Sequence, residues 1–360
     1  MFKKVSEGFV YQAEKGGRIG VGPRTALTKD GRIVCSYMTQ TTVGQNDLIP
    51  MVTYSQDGEK WDGTKPIWPQ LKSKKSSFVS ARNTPDGRVS VAGMLFDIDS
   101  EKEMFWSDEA AGMKENKLCW CISDDGIHFP EPQVVPLAYY ASAEQPGGLL
   151  VKKNGEIIMI YAPYDTIKKK QSVVTNKLIK MTSADGGKTF EPGMIGSVEG
   201  KVNFAESWIV ELGNGNVLVS SWLLDSKDTP DVYFLSCDGG KTFIGPNDMK
   251  IGGQTTSLTP YQDDKVLVAY NQRAKGTIGV WLALAQPDEK DFNIIYNEPV
   301  WEAVTKSRSN KSADFDNWTD YSFGEPHVSI LPDGHLLVVF WCMQPDETGI
   351  KYVKLKIERD

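Results

Sequence analysis

The sequence predicts an all-β chain made of six repeats of a four-stranded antiparallel unit. Three observations carry this. A tight-turn signal recurs between β-rich runs, and a Ser-x-Asp-Gly turn followed by an aromatic residue trails it at a regular distance. Helix signals are nearly absent, while 33 glycines and 19 prolines supply turns. Asp-Gly and Asn-Gly provide the positive φ angles of tight hairpins. Six such hairpins over 360 residues give one per 60 residues, the size of a four-stranded unit.

The units follow in order. The first holds Lys29-Asp30-Gly31 and the turn Ser55–Trp61 (SQDGEKW), and the second Pro85-Asp86-Gly87 and Ser123–Phe129 (SDDGIHF). The third holds Lys153-Asn154-Gly155 and Ser183–Phe190 (SADGGKTF), and the fourth Gly213-Asn214-Gly215 and Ser236–Phe243 (SCDGGKTF). The fifth is weaker, with Gln262-Asp263-Asp264-Lys265 and the decayed turn Ala285–Phe292 (AQPDEKDF). The sixth starts from Pro332-Asp333-Gly334 and ends in a third strand, IKYVKLKI, with no room for a fourth. The N-terminal run Gly8–Glu14 can supply that strand and remove an exposed edge. In each good copy the Asp carboxylate accepts hydrogen bonds from its own turn while the ring packs between sheets, a structural role.

Composition narrows the function. Forty basic and 47 acidic residues give a formal charge of −7, no field for gathering nucleic-acid phosphates. The longest apolar run, His335 to Met343, is half of the roughly 18 residues a membrane helix needs. The N-terminus has basic residues but no apolar export core, and five cysteines without framework spacing read as reduced thiols. A cytoplasmic protein is the expectation. Three scattered histidines and Cys119/Cys121 make no zinc pattern, and no nucleotide-binding or nucleophile-elbow motif appears, so no cofactor is expected. The runs Lys168–Lys170 and Lys72–Lys75 read as solvated loops.

Ser-x-Asp-x-Gly-x-x-Trp/Phe boxes preceded by strand–DG–strand hairpins resemble the Asp boxes of the sialidase superfamily, and the resemblance spans nearly the whole chain. It implies one six-bladed β-propeller domain over residues 1–360, with blades at about 20–62, 76–130, 143–191, 202–244, 254–293 and 320–360. Strands A to D run from centre to rim. The A–B hairpins and the boxes then share one face. Long loops, Phe96–Lys117, Tyr161–Asn176 and Tyr296–Tyr321, fall on the other, where function is expected.

Counting back eight positions from each hairpin Asp or Asn gives the residue that opens strand A near the axis. Blades four and six give Glu206 and Glu325; the others give Gly22, Phe78 and Pro146, with Arg24, Ser80, Arg82 and Gln145 close by. A carboxylate pair is the minimum apparatus for glycoside cleavage, one group protonating the leaving oxygen and the other attacking or activating water. The resemblance implies that Glu206 activates a tyrosine nucleophile. Tyr321-Ser322 resembles that pair but lies four residues early, where Glu325 stands instead. It further implies an acid in the B–C loop of blade one, where Asp47 lies. It also implies three arginines clamping a substrate carboxylate. Here Arg24, out of register, and Arg273 are candidates, with Arg82 a further one, and Ser221-Trp222 occupy the second position. Trp106 and Trp318 are expected to stack on a sugar, and His327 can reach the funnel. Together these point to an exo-acting glycoside hydrolase for a terminal, acidic sugar of an oligosaccharide or glycoside. A non-hydrolytic carbohydrate-binding propeller, or a lyase or epimerase on the same scaffold, are the alternatives.

Overall fold

The structure, a computed structural model, describes residues 1–139, 141–168, 176–200, 202–224, 231–311 and 315–358. It contains six four-stranded antiparallel blades and, among the described residues, no α-helix. The inner strands are Ile19–Leu27, Lys75–Asn83, the split pair Ser142–Glu144 and Leu149–Val151, Phe204–Glu211, Gln254–Tyr261 and Phe323–Ile330. Each is hydrogen-bonded to the next strand of its own blade and packs against the inner strands of its neighbours. This ring is the predicted propeller. Its core lies between blades, in five clusters of buried aliphatic and aromatic side chains.

The turn chemistry explains the regularity. The hairpin glycines Gly31, Gly87, Gly155, Gly215 and Gly334 all lie at φ between 82° and 87°, where a Cβ is penalised. The weak fifth turn differs: its positive φ, 57°, is at Gln262, the first residue of the loop between Tyr261 and Lys265. In the Ser-x-Asp turns the serine hydroxyl accepts the glycine N–H, at 2.8 Å for Ser55–Gly58 and 2.8 Å for Ser183–Gly187. Asp185 accepts the Lys188 and Thr189 amides at 2.9 and 3.0 Å, which hold its carboxyl well below the usual range. Phe190 closes its turn edge-on against Trp120 of the neighbouring blade, 6.3 Å between centroids. These residues pin blades and face away from the chemistry.

Blade six is closed by Phe2–Gln12, which pairs antiparallel with Glu347–Ile357. The strand begins six residues before the expected Gly8–Glu14 and is bulged at Lys4/Ser6 and Phe9/Tyr11. Its exposed charged residues (Lys3, Lys4, Glu7) suit a solvent-facing edge. Of the long loops, residues 96–117 form a small hairpin, Trp106–Ser107 with Gly112–Met113, that leans over the ring. Residues 169–175 and 312–314, in the other two loops, lie outside the described residues. So do Lys169 and Lys170.

Candidate active site

The inner strands slip register where they open. In blades one, four, five and six the pairing jumps at Val21/Arg24, Ala205/Trp208, Gln254/Thr256 and Gly324/His327. The residue inside each bulge has left-handed backbone: Gly22 at φ 59°, Glu206 at 51°, Thr255 at 64° and Glu325 at 51°. A bulge re-aims a side chain, here toward the funnel. For a non-glycine residue the conformation costs about 1–3 kcal/mol and persists only where the surroundings enforce it. Three such residues at equivalent positions mark a site. In blade two Phe78 pairs in register with Met94 and presents a ring instead.

The bulges meet at a cavity of about 190 Å³. That exceeds the roughly 150 Å³ of an engineered cavity that admits benzene. Its floor carries Glu144, Glu206, Glu325, Thr255, Arg273 and Tyr321. The wall from blades one and two is apolar, with Val21, Val43, Leu48, Phe78, Met94 and Phe105, and Trp106, Trp222, Trp318 and Trp341 complete it. Tyr164 donates its hydroxyl to the Phe204 carbonyl at 2.8 Å and supports Trp106 edge-on at 5.9 Å.

The environments of the two count-back glutamates differ. Burial, then the neighbouring Glu325 charge, pushes Glu206 up to about 7, against stabilisation of its carboxylate by the Thr255 hydroxyl and by Arg273 and Arg24. Burial also raises Glu325, but Arg24, the Trp341 indole and the Gly22 amide hold it back. Trp341 Nε1 donates to Glu325 Oε2 at 2.9 Å, and Arg24 Nη2 lies 3.9 Å from Oε1. Of the pair, Glu206 is therefore the one whose surroundings favour the protonated acid more, and Glu325 the one whose carboxylate has the closer cationic and N–H partners.

The other predicted residues divide. Tyr321, Arg273, Trp106 and Trp318 line the cavity. The Arg273 guanidinium lies 4.0 Å over the Tyr321 ring and donates to Gln254 Oε1 at 2.8 Å and to the Phe323 carbonyl. Asp47 is not in the lining: its carboxylate is held by Arg18 at 2.9 Å and by the Thr41 hydroxyl and amide, which fold the blade-one loop. Gln145 is buried and donates to the Gly148 carbonyl at 3.1 Å, closing the break in its strand. Arg24 is fully buried under the floor, 5.1 Å from the Trp208 ring, whose other neighbours are Arg82 at 4.3 Å and His327 at 5.3 Å. His327 Nδ1 accepts the Thr25 amide at 3.1 Å, and burial drives its pKa well below the usual value. These four side chains plug the axis beneath the cavity.

Glu144 and Thr255 were missed. Thr255 is eight before Asp263, so the count-back rule reaches it once the weak fifth turn is used as the others were. Glu144 lies two before the count-back position Pro146, because the inner strand of blade three is interrupted between Glu144 and Leu149. Asp231, a buried carboxyl raised by burial and by the charge of Glu206, also lacked a signal.

No protein-family model and no curated protein matches the sequence. Solved structures do. A protein of unknown function from Dyadobacter fermentans superposes with a TM-score of 0.76 at 20% identity, over 99% of both chains. The intramolecular trans-sialidase of Ruminococcus gnavus gives 0.64 at 12% identity, over 97% of this chain and 96% of that one. The Hadza microbial sialidase Hz136 gives 0.66 at 13%, over 94% of this chain and 66% of that one. The fold is a sialidase-like six-bladed propeller.

Proposed function

We propose that the protein is an exo-acting glycoside hydrolase that removes a terminal sugar with Glu206 and Glu325. The observation that carries the reading is a pair of cavity-facing carboxyls, on equivalent bulges of blades four and six, whose surroundings separate their acidities. Glu206, with its carboxyl raised to about 7, gives its proton to the leaving glycosidic oxygen. Glu325, whose carboxylate form Arg24 and the Trp341 indole favour, attacks the anomeric carbon or activates water. Tyr321, under the Arg273 guanidinium, shapes the sugar site beside them.

The cation content of the floor favours a sugar without a carboxylate. One guanidinium, that of Arg273, lines the cavity, and each of its terminal nitrogens donates one hydrogen bond to a protein acceptor. Arg24 is not in the lining: it is fully buried against Glu325 and the axial plug. Of the arginines expected to clamp an acidic sugar only Arg273 lines the cavity, so a neutral sugar is the better fit. The test is aglycone release from a panel of aryl glycosides covering neutral hexosides, arabinofuranosides, uronides and a sialoside, with Glu206→Gln and Glu325→Gln beside the unaltered protein. Turnover of a neutral glycoside, lost in both variants, is the expected result. Turnover that survives in both variants, or none on any sugar, overturns the reading; the second outcome favours a binding propeller.

A further inference from the structure

The mechanism above leaves one carboxyl of the cavity without a task. Glu144 opens the interrupted inner strand of blade three, where it pairs with Ala162, and it lines the cavity floor. Its Oε2 accepts the backbone N–H of Glu206 at 2.9 Å. That amide belongs to the bulge whose left-handed residue is Glu206 itself, and the ladder of blade four skips it: Ala205 pairs with Trp222 and the next pair is Trp208 with Ser220. A buried amide without a ladder partner needs another acceptor, and Glu144 is the one present.

The partner bulge is secured by the same logic. In blade six Arg24 Nη1, from the inner strand of blade one, donates to the Glu325 carbonyl at 2.9 Å. Each working glutamate is therefore tied at its own backbone by a charged-type side chain from the inner strand of an adjacent blade. Two unrelated residues doing one job at two equivalent strained positions argue that the strain is maintained for the side chains it aims.

Resting on the reading of Glu206 as the acid, we propose that Glu144 is a positioning residue that pins the Glu206 amide and so holds the Glu206 carboxyl in the cavity. A carbonyl-type oxygen suffices for this, because the accepting atom needs no charge. The groups that face Glu144 and Glu206 include Glu325, Asp231 and Tyr164, with Arg24 and Arg273 on the opposing side. Burial, and next the charge of Glu206, raises the Glu144 carboxyl well above the ordinary value, consistent with a neutral acid that still presents an acceptor oxygen.

The test compares the unaltered protein with Glu144→Gln and Glu144→Leu. Amide hydrogen exchange at Glu206 needs no substrate: protection is expected to fall in Glu144→Leu and to be kept in Glu144→Gln, whose amide oxygen can accept the same N–H. Protection at Ile209, further along the strand, stays unchanged in both. On any glycoside the protein turns over, Glu144→Leu is expected to lose on the order of 10- to 100-fold in kcat with little change in KM, the cost of a misplaced catalytic group. Glu144→Gln recovers most of that loss and leaves the high-pH fall of the rate profile where it was. Equal protection of the Glu206 amide in all three proteins overturns the proposal. So does a Glu144→Gln protein that loses as much protection as expected of the leucine variant, a comparison that stands even where Glu144→Leu does not fold. Absence of turnover in the unaltered protein sinks the hydrolase reading and leaves the exchange result to decide on Glu144.

Discussion

Replacing Glu206 by glutamine should make the protein more stable at alkaline pH and leave it unaltered in acid. The Glu206 carboxyl is raised from an ordinary 4.5 to about 7, first by burial and then by the charge of Glu325. Between those values the folded state holds a proton that the unfolded chain releases. Stability associated with Glu206 is therefore full below pH 4.5 and is lost as pH rises through 7. At 1.36 kcal/mol per pH unit, a displacement of about 2.5 units corresponds to about 3 kcal/mol, an upper figure because the carboxyl keeps an edge on the cavity. Glutamine has the shape of the protonated acid, still accepts from the Thr255 hydroxyl and never ionises. For a chain of this length about 3 kcal/mol is a shift of about 4 °C in Tm. Urea denaturation of both proteins from pH 4 to pH 9 measures the difference directly: near zero at pH 4, growing through pH 5–7 and constant above pH 8. A difference independent of pH, or none at pH 8, would refute the assignment of Glu206 as the strained acid.

Three further outcomes follow from the same geometry. Thr255→Val removes the hydroxyl that donates to Glu206 without changing side-chain shape, so the Glu206 carboxyl should titrate higher, by about 1 pH unit for a charged hydrogen bond, in a ¹³C carboxyl NMR titration. Trp341→Phe deletes the indole N–H on Glu325 and should raise that carboxyl, seen in the same titration as a displaced Glu325 curve with Glu206 little moved. Gly147→Ala should destabilise by about 1–3 kcal/mol or more in chemical denaturation, since its Cβ would stand 1.9 Å from the Trp208 ring in the axial plug.

The blades were legible because their signals are local. A glycine at positive φ and a carboxylate capping its own turn leave spaced residues that recur at about one period per blade. Glu206 and Glu325 were legible for a related reason: the bulge holds a fixed distance from the hairpin, so counting from Asn214 and Asp333 reaches them. Contacts across the ring were not legible. Nothing near Asp47 in the sequence announces that Arg18, across blade one, would occupy its carboxylate. Nor does spacing tell that Arg24, two residues past the bulge, turns beneath the floor onto Trp208 while Arg273 stays in the lining. Glu144 escaped because its strand breaks, which shifts the count by two residues.

The measurement that bears most directly on Glu206 as the acid is the pH dependence of kcat/KM on the best glycoside of the panel. A fall above about pH 7 is predicted, set by the Glu206 carboxyl, and it should move upward in Thr255→Val. A profile that stays level through pH 7 to 9, or a limb that ignores the loss of the Thr255 hydroxyl, would contradict it.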